Sequence, residues 1–249
     1  MIRIKTPREI SCIMKSGAIA ALVLRELSKA AKPGVVTMDL ELMARRLIKA
    51  RRAKPSFIGY NGYEYAICIS INDEVVHGLP SNRVLKKGDL VGIDIGVNLA
   101  EYYSDCATTI SVGPMTKDIK KLIYTTRESL DSAIRVIRPG IRVGEIEEMT
   151  GNVLRRGALR PILSLSGHGV GLAVHEDPSI KSDGKAASGE IVRAGMVFAI
   201  EPMATTGCGQ VKVGPDGWSV KTVDQEPAAH FEHTVAVTKR GVKILTGSR

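Results

Sequence analysis

Apolar residues at Ile10, Ile13, Met14, Gly17, Ala20, Ala21 and Leu24 recur at three- and four-residue intervals, which makes one face of a helix apolar. Thr6-Pro7-Arg8-Glu9 supplies its start: a threonine cap, proline at the first helical position and glutamate three residues after the cap. The helix should end near Ala31, before Lys32-Pro33-Gly34. A second helix is predicted over 38–50 behind a Thr37 cap, after which Pro55, Gly59 and Gly62 break the pattern. Residues 65–71 read as a strand and 75–80 as a turn that carries His77. From 91 to 111 two strand-like runs flank Asn98-Leu99-Ala100-Glu101, which predicts an antiparallel hairpin turning at Leu99 and Ala100. Helices are expected again over 115–138 and 143–156, and strands over 196–200 and 231–237. The four glycines within 205–218 suggest loops or a further hairpin.

The chain repeats itself. Lys32-Pro33-Gly34-Val35 aligns with Arg138-Pro139-Gly140-Ile141, Asp39-Leu40-Glu41 with Glu145-Ile146-Glu147, Met43 with Met149 and Leu47 with Val153, every pair 106 positions apart. A long helix, a Pro-Gly break and a second helix therefore occur twice. This pattern predicts a duplicated α+β unit packed about a pseudo-twofold axis, one domain over 1–249 with halves of about 1–112 and 113–249.

Composition narrows the class. With 249 residues, 44% hydrophobic and 24% charged, the chain can bury a sizeable core. The apolar run over 17–24 is closed by Arg25 and Glu26, too short to span a bilayer, and the first residues lead into no signal-peptide core. Cys12, Cys68, Cys106 and Cys208 lack CxxC spacing, as expected of reduced thiols in a cytoplasmic protein rather than of a disulfide framework. A net charge of +9 leaves both ordinary solubility and a polyanionic partner such as the ribosome open. No coiled-coil repeat asks for a partner chain, so a monomer without membrane attachment is expected.

Chemistry enters with two aspartates. In the hairpin as predicted, Asp94 falls opposite Asp105, and the Cβ atoms of such a pair lie roughly 4.5–5.5 Å apart. Two carboxylates that close repel unless a proton or a cation lies between them. Gly92, Gly96 and Ala107 leave room beside them, so the hairpin reads as half of a metal cage, with a solvent-facing polar stripe as the alternative. The second stretch is Ser166-Gly167-His168-Gly169-Val170-Gly171, whose glycines let backbone and imidazole approach a ligand closely. His175 follows seven positions later, which requires a bend at Gly169 or Gly171, and Glu176-Asp177-Pro178 suggests a turn after it. Glu201 precedes Pro202 and is biased toward extended geometry; it lies 107 positions after Asp94. Glu232 alternates with His233, and the Gly/Ser/Lys loop 181–190 is of the kind that rims a site.

Asp94, Asp105, His168, Glu201 and Glu232 together offer four carboxylates and one imidazole, a set that suits Mn(II), Fe(II) or Co(II), and also Zn(II). One divalent ion leaves about two negative charges uncompensated, whereas two bring the site to about neutral. Paired ions roughly 3.5–4 Å apart lower the pKa of water from 15.7 toward ~7.

These residues, with Asn72-Asp73-Glu74-Val75-Val76-His77-Gly78, Phe198-Ala199-Ile200-Glu201-Pro202 and Phe231-Glu232-His233-Thr234, make the chain similar, nearly end to end, to the type I methionine aminopeptidases of the pita-bread metallopeptidases. The resemblance implies a fold of two pseudo-symmetric halves, with a central antiparallel sheet backed by two pairs of helices. It implies two divalent ions and removal of the initiator methionine from nascent polypeptides. Asp94 would chelate one metal, His168 and Glu201 the other, and Asp105 and Glu232 would bridge them. Glu201 would also act as general base. His77 would contact substrate near the scissile bond, and His175 would donate to the developing oxyanion. Tyr60, Tyr63, Cys68 and Trp218 match the methionine side-chain pocket. Val174, Glu64 and Lys181 and Lys185 of the 181–190 loop depart from the family pattern and put the strictness of methionine preference in question. An Xaa-Pro aminopeptidase or dipeptidase shares these ligands but usually carries an additional N-terminal domain. A non-catalytic pita-bread binding protein would typically have lost some of them.

Overall fold

The computed structural model describes residues 2–247. Helix α1 (Pro7–Ala30) opens on a reciprocal cap, Glu9 N–H donating to Thr6 Oγ1 and Thr6 N–H to the Glu9 carboxylate. Its face of Ile13, Ala20, Val23 and Leu27 is buried. Helix α2 (Thr37–Lys49) starts one residue earlier than expected. Thr37 is inside the helix rather than its cap, because a tertiary partner takes its hydroxyl: Thr37 Oγ1 donates to Ser81 O and accepts from Ser81 N–H. Glu41 of α2 is buried, pairs with Arg45 and accepts the N–H groups of Ala66 and Ile67. These bonds fix the chain where it enters β2 (Ile67–Ile71), two residues later than predicted.

The first half is completed by β1 (Lys54–Pro55), β3 (Glu74–Val76), β4 (Leu90–Leu99) and β5 (Tyr102–Ser111). The turn expected over 75–80 is partly strand, since the chain reverses earlier at Asn72, which has φ of 61°. Helices α3 (Lys117–Val136) and α4 (Val143–Arg156) begin the second half. Then come β6 (Arg160–Pro161), β7 (Ser166–Gly169), β8 (Glu176–Lys181), β9 (Val197–Ile200), β10 (Met203–Thr205), β11 (Val211–Val213) and β12 (Val220–Thr222). The described chain closes with β13 (Ala228–His230), β14 (His233–Thr238) and β15 (Gly241–Ile244). The ends of α1 and α3, the starts of α2 and α4, and the short strands β1 and β6 all recur at the 106-residue offset.

All ladders are antiparallel, and they divide the central layer into four sheets. The largest runs β15-β14-β9-β7-β8, and the long hairpin lies in a sheet of β1-β4-β2 with β5 on β4. Each helix pair covers its own apolar core. Leu40, Ile48, Ile69 and Ile93 meet under α1 and α2, and Leu130, Ile146, Phe198 and Val235 under α3 and α4. None of the described helices is long and apolar enough to cross a membrane.

The hairpin register differs from the expectation. Leu99 pairs with Tyr102, so the turn residues are Ala100 and Glu101, both left-handed at φ of 52° and 64°, as a two-residue type I′ turn requires. Asn98 Oδ1 accepts the Glu101 N–H and supports the turn. Asp94 consequently faces Ala107, and Asp105 faces Gly96. The two-residue slip keeps both aspartates on one face as diagonal neighbours, a separation that side chains span. Ala-Glu carries none of the Asn-Gly signature of this turn, which is why the pattern misplaced it.

In the second half the corresponding hairpin is interrupted. Ile200 pairs with His233 and Met203 with His230, in one continuous register broken at Glu201-Pro202 and Phe231-Glu232. The strand expected over 231–237 thus begins only at His233. Glu201 and Glu232 face each other across the break, the direct opposition first expected of the two aspartates.

Gly96, opposite Asp105 on the hairpin, lets Ser56 and the Phe57 ring pack directly on β4, since a Cβ there would collide with Ser56 Oγ and the Phe57 ring. Gly96→Ala is expected to cost about 1–3 kcal/mol, the usual penalty of overpacking, measured as a lower urea midpoint at unchanged slope.

Candidate metal centre

Where the two halves meet, β5 runs against residues 230–234. Thr234 Oγ1 donates to Asp105 O and accepts from Asp105 N–H (2.7 and 2.9 Å). Thr109 Oγ1 makes the same pair of bonds with His230 (2.8 and 2.9 Å). Between them Glu232 N–H donates to Ala107 O at 3.0 Å. This seam brings Asp105 from one half beside Glu232 from the other.

The five residues expected as ligands line one cavity of about 300 Å³. Asp105, His168 and Glu232 converge most tightly, with one ligand atom of each within 4.8 Å of the others. Glu201 Oε1 lies 3.4 Å from His168 Nε2. His168 Nδ1 donates to Gly169 O at 2.9 Å, which leaves Nε2 bare and facing the carboxylates. Among the described residues five buried side-chain polar atoms have no hydrogen-bond partner, and four belong to this cluster: Asp94 Oδ1, Asp105 Oδ1, Glu232 Oε1 and His230 Nε2. Three carboxylate oxygens buried without a donor fit a site built for divalent cations.

Burial dominates the electrostatics. It pushes the Asp94 carboxyl up to about 6. Asp105 is raised well above the usual carboxylate range by burial and then by Asp94, Glu232 by burial and then by Asp105, and Glu201 by burial. Burial and the neighbouring His175 hold His168 down at about 3, so its imidazole is neutral.

The other expected residues surround this cluster. His175 stacks on His168 at 4.1 Å between ring centroids and on Tyr60 at 4.9 Å. Tyr63 meets Trp218 edge to face at 5.0 Å, and its hydroxyl donates to Ile67 O. Cys68 is buried against Tyr63, and burial pushes its thiol up. His77 leaves β3 with φ of 58°, and its side chain opens onto the cavity. The protein enclosing His77 and His175, with a neighbouring histidine in each case, lowers their pKa.

Three sequence expectations end elsewhere. Loop 181–190 does not rim the cavity. It packs on α4, held by Arg155 to Asp183 and by buried Glu147, which accepts Lys181 N–H at 2.8 Å. Val174 packs with Phe57 and Tyr63 but does not line the cavity, and Glu64 lies off it. The bend expected before His175 does fall at Gly171, but the chain then continues as β8 where a turn was expected.

Two features had no reading in the sequence. Lys5 Nζ, with a side chain only 1% exposed, reaches Glu176 Oε2 at 2.5 Å, while Glu176 Oε1 accepts the N–H groups of Leu172 and Ala173. This pins the loop that presents His175. The second is His230, whose Nε2 lies 3.4 Å from Glu201 Oε2. Its one local signal is the two-residue spacing to Glu232, which puts both on one strand face.

The model of metallopeptidase family M24 matches residues 11–239. The chain is 45% identical to methionine aminopeptidase 1 of Bacillus subtilis over 246 residues, covering 99% of each. It superposes on the crystal structure of methionine aminopeptidase from Thermotoga maritima with a TM-score of 0.98 at 44% identity, covering all of both chains. Prolidase from Pyrococcus furiosus gives a TM-score of 0.80 at 25% identity, with 99% of this chain matched to 66% of that one. The architecture is the pita-bread fold.

A metal ion must displace the protons that burial keeps on these carboxylates. Titrating chelator-stripped protein with Mn(II) near pH 6, in buffers of different ionisation heat, should therefore show proton release, with affinity rising as pH rises. Binding without proton release would contradict the raised carboxyl pKa values.

Proposed function

The chain belongs to metallopeptidase family M24, among its methionine aminopeptidases, and we propose that it cleaves the first peptide bond after an N-terminal methionine using two divalent ions held by Asp94, Asp105, His168, Glu201 and Glu232. It is a metallo-exopeptidase, a hydrolase. The observation that carries the reading is the set of donor-less carboxylate oxygens lining a cavity whose other wall is aromatic and apolar.

Mn, Fe, Co or Zn ions held there would supply the Lewis acidity that brings the pKa of water toward ~7. Glu201 is suited to take the water's proton, since burial makes its carboxylate a stronger base than a solvated glutamate. His77 and His175 hold neutral imidazoles toward the cavity, where an N–H donates to the peptide carbonyl and to the oxyanion that develops from it. Tyr60, Tyr63, Cys68 and Trp218 offer the polarizable slot that an unbranched thioether fills, and the Asp94 end receives the free amino group.

Met-Ala-Ser should be cleaved only with a divalent metal present. Glu201→Gln should lower kcat about 10²–10⁴-fold with unchanged circular dichroism, and His175→Ala about 10²–10³-fold. Hydrolysis of Ala-Pro peptides with Met-Ala-Ser left intact would instead favour an Xaa-Pro peptidase.

The same reading places the enzyme in the cytoplasm as a monomeric catalytic domain acting on chains as they leave the ribosome. The charge of +9 and the exposed Arg45, Arg46, Lys49, Arg52 and Lys54 support contact with a polyanion. Co-sedimentation with ribosomes should weaken steeply with salt, and salt-independent or absent binding would count against it.

A further inference from the structure

His230 has no part in the chemistry above, yet it stands inside the ligand cluster. It is 3% exposed, and its Nε2 has no hydrogen-bond partner. That atom lies 3.4 Å from Glu201 Oε2 and 3.9 Å from Glu232 Oε2. Glu201 is thus flanked by two imidazoles, His168 at Oε1 and His230 at Oε2. The two differ in position: His168 lines the cavity together with the four carboxylates, whereas His230 does not. His230 therefore approaches Glu201 from behind the cavity lining.

The backbone explains the approach. Thr109 binds both main-chain groups of His230 and fixes its place on β13. Glu201 and Glu232 share a register in which His230 faces Met203, so His230 is the diagonal neighbour of Glu201. In the first half, Asp105 faces Gly96 and is the diagonal neighbour of Asp94. Gly96 and Met203 are separated by the same 107 residues as Asp94 and Glu201. His230 accordingly occupies, in the second half, the position that Asp105 occupies in the first. The fold delivers a side chain there to the carboxylate on the neighbouring strand.

We propose that His230 is a positioning residue that donates its Nε2–H to Glu201 Oε2, beside Glu232, and so keeps Glu201 Oε1 turned toward His168 and the cavity. The Glu201 separation exceeds an ordinary N–H···O bond by about 0.2 Å, which a rotation of the carboxylate about its soft terminal torsion closes. The donation satisfies a buried N–H that otherwise has no acceptor. It also restrains the one carboxylate that serves as both ligand and base in the metallopeptidase reading, on which this inference rests.

The test compares the purified full chain with His230→Gln, which keeps an N–H donor, and His230→Leu, which has none. Mn(II) affinity is read by calorimetry and turnover on Met-Ala-Ser. His230→Leu should lose about 10–100-fold in Mn(II) affinity and in kcat, with KM within about twofold, while His230→Gln stays near wild type in all three. The visible bands of the Co(II)-loaded His230→Gln protein should match wild type. Equal losses in both variants, or Co(II) bands shifted by His230→Gln, would overturn the proposal by making the imidazole a ligand. Wild-type Mn(II) affinity in a folded His230→Leu protein would overturn it by making His230 a filler of space. Should His230→Leu fail to fold, affinity and bands of His230→Gln decide alone. A wild-type chain that binds Mn(II) but leaves Met-Ala-Ser intact would refute the proposed activity and leave the Mn(II) comparison standing.

Discussion

Thr109 and Thr234 each use one hydroxyl to satisfy both backbone groups of a residue from the other half, His230 and Asp105 respectively. With the Ala107–Glu232 main-chain bond between them, they form the seam on which the site depends. A regular ladder would place backbone against backbone along the whole joint. The threonines admit their side chains at two points and hold the strands in alignment while Asp105 and Glu232 converge. Ala107 occupies the middle of this arrangement, opposite Asp94 on one side and bonded to Glu232 on the other. Its small side chain leaves the intervening space to the carboxylates.

That convergence is electrostatically costly. Four carboxylates are shut in by protein, and each has its pKa raised, chiefly by burial. The cluster favours protons or multivalent cations and is poorly served by water. His168 adds a neutral nitrogen and no charge, because burial and the neighbouring His175 disfavour its protonation, while its Nδ1–H is turned to Gly169 O. The cost is offset by the two apolar cores under the helix pairs, none of whose residues lines the cavity. Activity and stability are thereby assigned to different parts of the fold.

The loop bearing His175 shows the same division. His175 reaches the cavity from a bend. Its neighbour Glu176 gathers the N–H groups of Leu172 and Ala173 within that bend, and Lys5, more than 160 residues earlier, anchors Glu176. A partly buried charge pair with every oxygen satisfied specifies one loop conformation where flexible glycines alone would allow several.

The helices, the 106-residue recurrence and the five residues that gather at the cavity were legible in the chain because each has a local signature: apolar periodicity, a cap, a glycine-flanked histidine, a glutamate before proline. The sequence by itself determined which side chains could bind metal and roughly which segments carry them. Tertiary structure alone decided how they meet. The Ala100-Glu101 turn lacks the residues that advertise its type, so the register of Asp94 and Asp105 was set by Asn98 and by pairing along ten residues. Thr37 looked like a cap until Ser81 claimed it. Lys5 carries no local pattern, and His230 only its two-residue spacing to Glu232, since their partners Glu176 and Glu201 lie on other segments of the chain. Periodicity and capping act within a few residues, whereas the charges and hydrogen bonds that complete this site join residues tens to more than a hundred positions apart.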